Sequence, residues 1–445
     1  MQFYWIITQM RKFRKGFLGC VLSHLDRGSV EVAFEGFTTR NRIYHTWALF
    51  QTFLSQVAVG GGCREAIEVG VNQGWLPVHT SPKTSAYCNS RSRFPEAPLK
   101  GLAFSLGHSL EGAAEDEGLF CGRRVRVIDG TSVQLPDTGP NQREYPQPNQ
   151  QKPGCGFPVM YISVLMGLGS GAIIDAETSG GSGYERSNFR TLWRSLEAGD
   201  IVLGDAGYGS YAEVAMLGER GVDTVFRQGQ RKLDTGNGIR LGKNDWLIVW
   251  DRPVTTGDWI DVAELPERMV IRAIRFNHKV KGFRSKDVTI YTTLLDPGRY
   301  PKAELIKLYR RRWEMELRFR DIKTTMGLEM LKCKTPDGCR KELWMGLLAY
   351  NLIRAVMAHA ALERKVRLSK ISFAGAVQRL TAFASGDLVR NDPIIAFSLL
   401  IQHLVVDLLP HRPNRIEPRK RKRRPKNYRL LTVSRNIERS CLLQP

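Results

Sequence analysis

From Arg123 onward the apolar pattern of the chain changes from helical to strand-like, and the order of the segments beyond that point limits the fold more than any other feature. RVRVIDGTSVQL, FPVMYISVLMGL and GAIIDAET are each rich in Val, Ile and Tyr and are separated by Gly, Pro and Asn, the marks of strands bounded by turns. Three such segments joined only by loops or turns suggest an antiparallel run. The pattern then alternates. YERSNFRTLWRSL has helical spacing, IVLGDAGYG is a short apolar strand ending in a turn, YAEVAMLGERG is a helix closed by Gly, and VDTVFRQG is another strand. Strands followed by strand–helix alternation imply an α/β unit on a mixed sheet.

Around this unit, residues 120–229, the chain divides by composition. Residues 230–298 hold Trp-bearing segments (NDWLIVW, GDWIDV, MVIRAIRF, VTIYTTLL) that read as a β-rich insertion. The core resumes over 299–365 with a helix predicted from Pro301 through Met326, Pro301 suiting its first turn and Gly327 its end. Residues 1–115 are read as a helical DNA-binding region, from WALFQTFLSQVAV and REAIEVGVNQGWL, with GGG at 60–62 and a Pro/Ser/Thr-rich stretch from His79 to Pro98 as separators. Residues 366–410 are helical again and 411–445 form a basic tail. The apolar stretch 343–362 is interrupted by Arg354 and His359, so it reads as a buried core helix rather than a membrane span.

Lys and Arg number 66 against 44 Asp and Glu, a net charge of +22 with a pI near 9.8, which favours a polyanionic partner. Nucleic acid fits, though an anionic membrane surface would attract the same charge. Ten Lys or Arg against the single acid Glu417 lie between Arg412 and Arg429, a run that binds phosphates without regard to sequence. The eight cysteines form no CxxC pair and read as reduced thiols of a cytosolic protein. The apolar FYWIITQM is followed rather than preceded by its basic residues, so it is not read as a signal peptide.

Within LYRRRWEMELRFRDIK, Tyr309, Arg312, Glu316 and Lys323 stand at offsets 0, 3, 7 and 14. At about 100° per residue these fall at 0°, about −60°, about −20° and about −40°, one narrow helical face, while Glu314 lies about 140° away. A carboxylate flanked by two cations and a phenol is either an exposed, ion-paired face or a site. Asp129 lies in an apolar strand, where an unpaired carboxylate is costly; it is therefore paired with a cation, hydrogen-bonded or bound to a metal. Asp205 follows IVLG at a strand end, where α/β sheets place function, although Asp before a Gly-containing turn is also ordinary turn chemistry.

The pattern tyrosine, two residues, arginine, three residues, glutamate, six residues, lysine resembles the signature of DDE-type insertion-sequence transposases, specifically the insertion sequence four family. VIDGTSVQLPDT around Asp129 and GDAGYGSY around Asp205 resemble the family's first and second catalytic motifs. The resemblance implies a ribonuclease-H-like mixed-sheet core in which the strand of Asp129 and the strand ending at Asp205 are neighbours. It implies Asp129, Asp205 and Glu316 as catalytic carboxylates and ligands of Mg²⁺ or Mn²⁺, whose preference is for hard oxygen donors. The reaction implied is in-line hydrolysis and strand transfer on double-stranded DNA at terminal inverted repeats, carried out by a homodimer when bound to DNA. Tyr309, Arg312 and Lys323 are then DNA contacts, and Arg227, Arg231 and Lys232 in FRQGQRK are further candidates for phosphate. Two narrower readings stand beside this one: a catalytically silent DNA-binding descendant, and a nuclease that cuts without joining. Ala206 departs from the family, where many members carry arginine. Trp246, Trp250 and Trp259 are read as core of the insertion.

Overall fold

The computed structural model describes residues 25–37, 43–113, 118–181, 185–229, 236–255, 259–278, 286–384, 392–410 and 430–442. They form two compact units, one of Met1–Leu119, Val164–Ala176 and Glu314–Pro410, the other of Phe120–Ser163, Glu177–Trp313 and His411–Pro445. The strands, in chain order, are β1 (Leu119–Phe120), β2 (Arg123–Gln134), β3 (Val159–Gly167), β4 (Ile173–Ser179), β5 (Ile201–Gly204), β6 (Asp223–Arg227), β7 (Ile239–Gly242), β8 (Asp245–Asp251), β9 (Arg268–His278) and β10 (Lys286–Thr292). They join in one sheet of order β4-β3-β2-β5-β6-β10-β9-β8-β7, with β1 beside β2.

The strands that seat the two aspartates are central. β2 runs parallel to β5, and β5 parallel to β6. Val125–Ile128 and Ile201–Gly204 are buried without alternation, as strands covered on both faces must be. This is the mixed sheet, with the β2–β5 neighbourhood, that a ribonuclease-H-like core requires. The insertion is not a separate β module: β10 pairs antiparallel with β6, and β9, β8 and β7 follow antiparallel from it. Its inner anchor is Arg272, which donates from Nε and Nη2 to the two oxygens of Asp245 at 2.9 and 2.6 Å and from Nη1 to the Tyr300 carbonyl at 2.7 Å. A buried charge paired on both oxygens in this way holds its geometry well. Trp250 packs edge-on against Tyr211 and Tyr291, and Trp259 against Trp193 with the Arg190 guanidinium 4.2 Å from its ring centre. Both therefore serve as core, as expected, while Trp246 lies under Arg275.

The other unit is helical. Thr46–Val59 is buried along nearly its whole length, and Pro336–Glu363, 28 residues long, is apolar enough to cross a bilayer but is mostly covered by protein. The buried Asn351 amide of that helix accepts from Ile173 N and donates to Ile173 O and Ala103 O, all at 2.9 Å. It thereby ties the end of β4 that belongs to this unit to the helix Glu96–Ala113. The Pro/Ser/Thr-rich separator expected over 79–98 is corrected here, because it contains the helix Ser85–Arg93. Composition argues for a loop, but Tyr87 is fully buried, its hydroxyl donates to Gln56 Oε1 at 2.8 Å, and Arg91 donates to the same oxygen. Tertiary packing overrides weak local propensity.

Candidate active site

The parallel register pairs Val125 with Ile201, Arg126 with Val202 and Val127 with Leu203. Carried two residues further, it sets Asp129 level with Asp205 on adjacent chains about 4.8 Å apart. The close approach depends on Gly204: a methyl group there would lie 2.7 Å from Phe226 Cε1 and 2.9 Å from Ile128 Cγ2. Asp129 Oδ1 accepts from Gly130 N at 2.9 Å, and Oδ2 accepts from Arg312 Nη1 at 3.1 Å. Both side chains of this pair are largely buried, Asp129 at 18% and Arg312 at 13% exposed. A carboxylate in an apolar strand is thus accounted for by a guanidinium. Asp205 Oδ1 accepts from Gly207 N at 2.8 Å, closing the turn after β5, and its Oδ2 lies 4.0 Å from Arg227 Nη2.

Arg312 is the hub. Burial works against its charge, but Tyr309, Asp129 and Asp205 outweigh burial and hold the guanidinium above its ordinary range. Tyr309 is buried against Phe276, and burial raises its phenol despite the opposing pull of Arg312 and Arg227. Arg312 Nε is buried without a hydrogen-bond partner.

The continuous helix predicted from Pro301 to Met326 needs correction. The structure has an α-helix over Lys302–Arg310, a 3₁₀ turn over Arg311–Trp313, an α-helix over Glu314–Arg320 and a π-helical stretch over Asp321–Thr325. A 3₁₀ turn advances about 120° per residue instead of about 100°, so the four residues do not share the one face that uniform winding assigns them. Tyr309 and Arg312 precede the boundary and face Asp129 and Asp205; Glu316, exposed, and Lys323, half-buried, belong to the helical unit. Glu314 favours the charge of the fully buried Arg354. Arg231 and Lys232 lie outside the described residues.

Two groups near the aspartates have no warning in the sequence. Tyr208, buried in the turn after β5, has its phenol pushed well up by burial and then by Asp129, Glu185 and Asp205. Glu185, first residue of the helix Glu185–Leu192, sits where periodicity says only that an acid favours a helix start. Among the described residues, no three carboxylate, imidazole or thiol groups converge closely enough to hold a metal ion as the side chains stand. The engagement of Asp129 by Arg312 accounts for part of that.

Residues 120–352 match the family model of the transposase DDE domain. The chain belongs to the DDE transposases. It is 29% identical over 321 residues to the transposase InsG for insertion sequence element IS4 of Escherichia coli (strain K12), an alignment covering 69% of this chain and 70% of that protein. This agrees with the family read from the tyrosine–arginine–glutamate–lysine spacing. A cryo-EM structure of the piggyBac transposase synaptic complex with hairpin DNA aligns over 91% of this chain and 85% of that one, at 9% identity and a TM-score of 0.44. The transposase is thus a DNA-transposing enzyme whose matched region contains the whole Asp129, Asp205 and Arg312 arrangement.

Proposed function

We propose that this transposase excises its element by metal-dependent phosphodiester hydrolysis at terminal inverted repeats and joins the freed 3′ ends to target DNA. The observation that carries the reading is the level placement of Asp129 and Asp205 on parallel strands, with Arg312 reaching Asp129 from the segment that also carries Tyr309. The donor set fits Mg²⁺ or Mn²⁺, since both aspartates offer hard carboxylate oxygens and hold them by short backbone hydrogen bonds. Asp129 and Asp205 would hold such an ion, with Glu316 as the family's third acid. Bound there, the metal supplies activation of water or a 3′-hydroxyl and neutralisation of the leaving oxygen.

The chain's own cations and hydroxyls do the rest. Arg312, with its unused Nε, and Tyr309 present donors beside Asp129 to phosphate oxygens of the transposon end, and Lys323 and Arg227 add charge for the same strand. Arg231 and Lys232 extend that contact to flanking phosphate. Double-stranded DNA is the partner, a homodimer holds the two ends, and the work is done in the bacterial cytosol.

The test is Mg²⁺-dependent cleavage of a repeat-end duplex. Asp129→Asn, Asp205→Asn and Glu316→Gln should each slow it by more than the about 10- to 100-fold typical of substitutions in a metal's outer shell. Wild-type cleavage by Glu316→Gln would remove that residue from the site. Strand transfer from pre-cut ends separates a transposase from a nuclease that cannot join.

A further inference from the structure

Glu185 reaches both aspartate turns. A methyl group built on Gly130, the residue after Asp129, would lie 3.5 Å from Glu185 Oε1; one built on Gly207, two residues after Asp205, would lie 3.5 Å from Glu185 Oε2 and 3.2 Å from Asp205 Oδ1. One carboxylate therefore spans the gap between the two turns. The absence of side chains at Gly130 and Gly207 is what leaves that gap open. A second group points to the same place. The Tyr208 hydroxyl lies 3.0 Å from the Gly130 methyl position, and its side chain is 1% exposed. Ser163 is near enough to favour the ionised phenol, yet no hydrogen bond of normal geometry reaches the Tyr208 oxygen. A phenol buried in this way is unfavourable unless something completes it.

We propose that Glu185 is a further metal-holding carboxylate of this site, binding a divalent cation together with Asp129 and Asp205, with the Tyr208 hydroxyl as the buried donor that positions it. The proposal rests on the reading of Asp129 and Asp205 as metal ligands. It adds an acid from the helix after β4, within the same unit as both aspartates. The competing role is purely local: an acid in the first turn of a helix stabilises that helix through its dipole, and this role makes no demand on metal.

The experiment is a Mn²⁺ titration of the full-length protein without DNA, followed by loss of the free-ion paramagnetic resonance signal. Glu185→Gln should weaken Mn²⁺ binding at least about tenfold, Glu185→Asp should restore part of it, and Tyr208→Phe should weaken it to a smaller extent. Asp129→Asn is the reference for the site. If Asp129→Asn loses Mn²⁺ while Glu185→Gln binds like wild type, the Glu185 proposal is overturned and the site stands. If both bind like wild type, the metal-site reading itself has failed. Should Glu185→Gln not fold, as judged by thermal unfolding without metal, Tyr208→Phe and Glu185→Asp decide, and wild-type affinity in both overturns the proposal.

Discussion

Deleting the Arg312 side chain takes the guanidinium away from Asp129, and the cost can be bounded from the geometry. Removing one partner of a fully buried ion pair costs about 3–5 kcal/mol, and a hydrogen bond to a charged group contributes about 1.5–3 kcal/mol. The pair here spans 3.1 Å and its side chains keep 13% and 18% of their exposure, so water can reach the abandoned carboxylate and the lower range applies. Arg312→Ala should therefore destabilise the metal-free protein by about 2 kcal/mol, a fall in melting temperature of about 4–8 °C for a unit of this size. Asp129→Asn should cost a similar amount, since it leaves the guanidinium without its carboxylate. Combined, the two should cost clearly less than their sum, with a coupling of about 1–2 kcal/mol. Thermal unfolding in chelator, repeated for all four proteins, measures the cycle. Additivity within about 0.5 kcal/mol would refute the claim that Arg312 is the counter-ion of Asp129. A further measurement comes from the same samples: Mn²⁺ should raise the melting temperature of Arg312→Ala more than that of wild type. A ligand that binds only the folded state stabilises it more the tighter it binds, and Asp129 is then no longer engaged by a guanidinium.

Asn351→Leu removes three buried hydrogen bonds at once, to Ile173 N, Ile173 O and Ala103 O; it should cost about 3 kcal/mol or more, and an unchanged urea midpoint would contradict the bridging role. Gly204→Ala forces a methyl group against Phe226 and Ile128, an overpacking of about 1–3 kcal/mol, and should lower strand cleavage more than stability because Asp205 follows directly; equal losses would argue against that coupling. Burial lowers the His359 pKa below its ordinary 6.5, with Glu363 opposing, so the unfolded chain binds the proton more readily. Stability from this residue is then present above pH 6.5 and is lost as pH falls below it. His359→Phe, which keeps the contact with Phe397, should lose less melting temperature than wild type when the pH drops from about 7.5 to about 5.5, and an equal loss would show that another group titrates.

Much of the sheet is legible in the sequence because its signals are local and redundant. Apolar runs such as Val125–Ile128 and Ile201–Gly204 lie between turn residues, so β2 and β5 follow from composition alone. The parts that are not legible depend on partners distant in the chain. Ser85–Arg93 looks like a linker until Gln56 is seen to accept from both Tyr87 and Arg91. The pairing of β10 with β6, which makes the insertion a continuation of the core sheet, is likewise a fact of register, and nothing in the local sequence encodes it.

The site divides along the same line. Asp129 announces itself because a lone acid in an apolar strand demands a partner, but uniform helical winding hides the partner's identity. On a helix turning about 100° per residue, Arg312 falls beside Glu316; the 3₁₀ turn at Arg311–Trp313 changes the winding at the one point where the phase matters. That turn ends where the chain passes from one compact unit to the other. Short 3₁₀ and π stretches are where a helix departs from regular phase, and this segment contains one of each. The three-residue spacing from Tyr309 to Arg312 therefore serves the aspartates, and the seven-residue spacing from Glu316 to Lys323 belongs to a second helical piece with its own phase. A substitution that restores regular α-helix at Arg311–Trp313 should accordingly uncouple Arg312 from Asp129 without touching either side chain, and the double-substitution cycle repeated in that background should show the coupling gone.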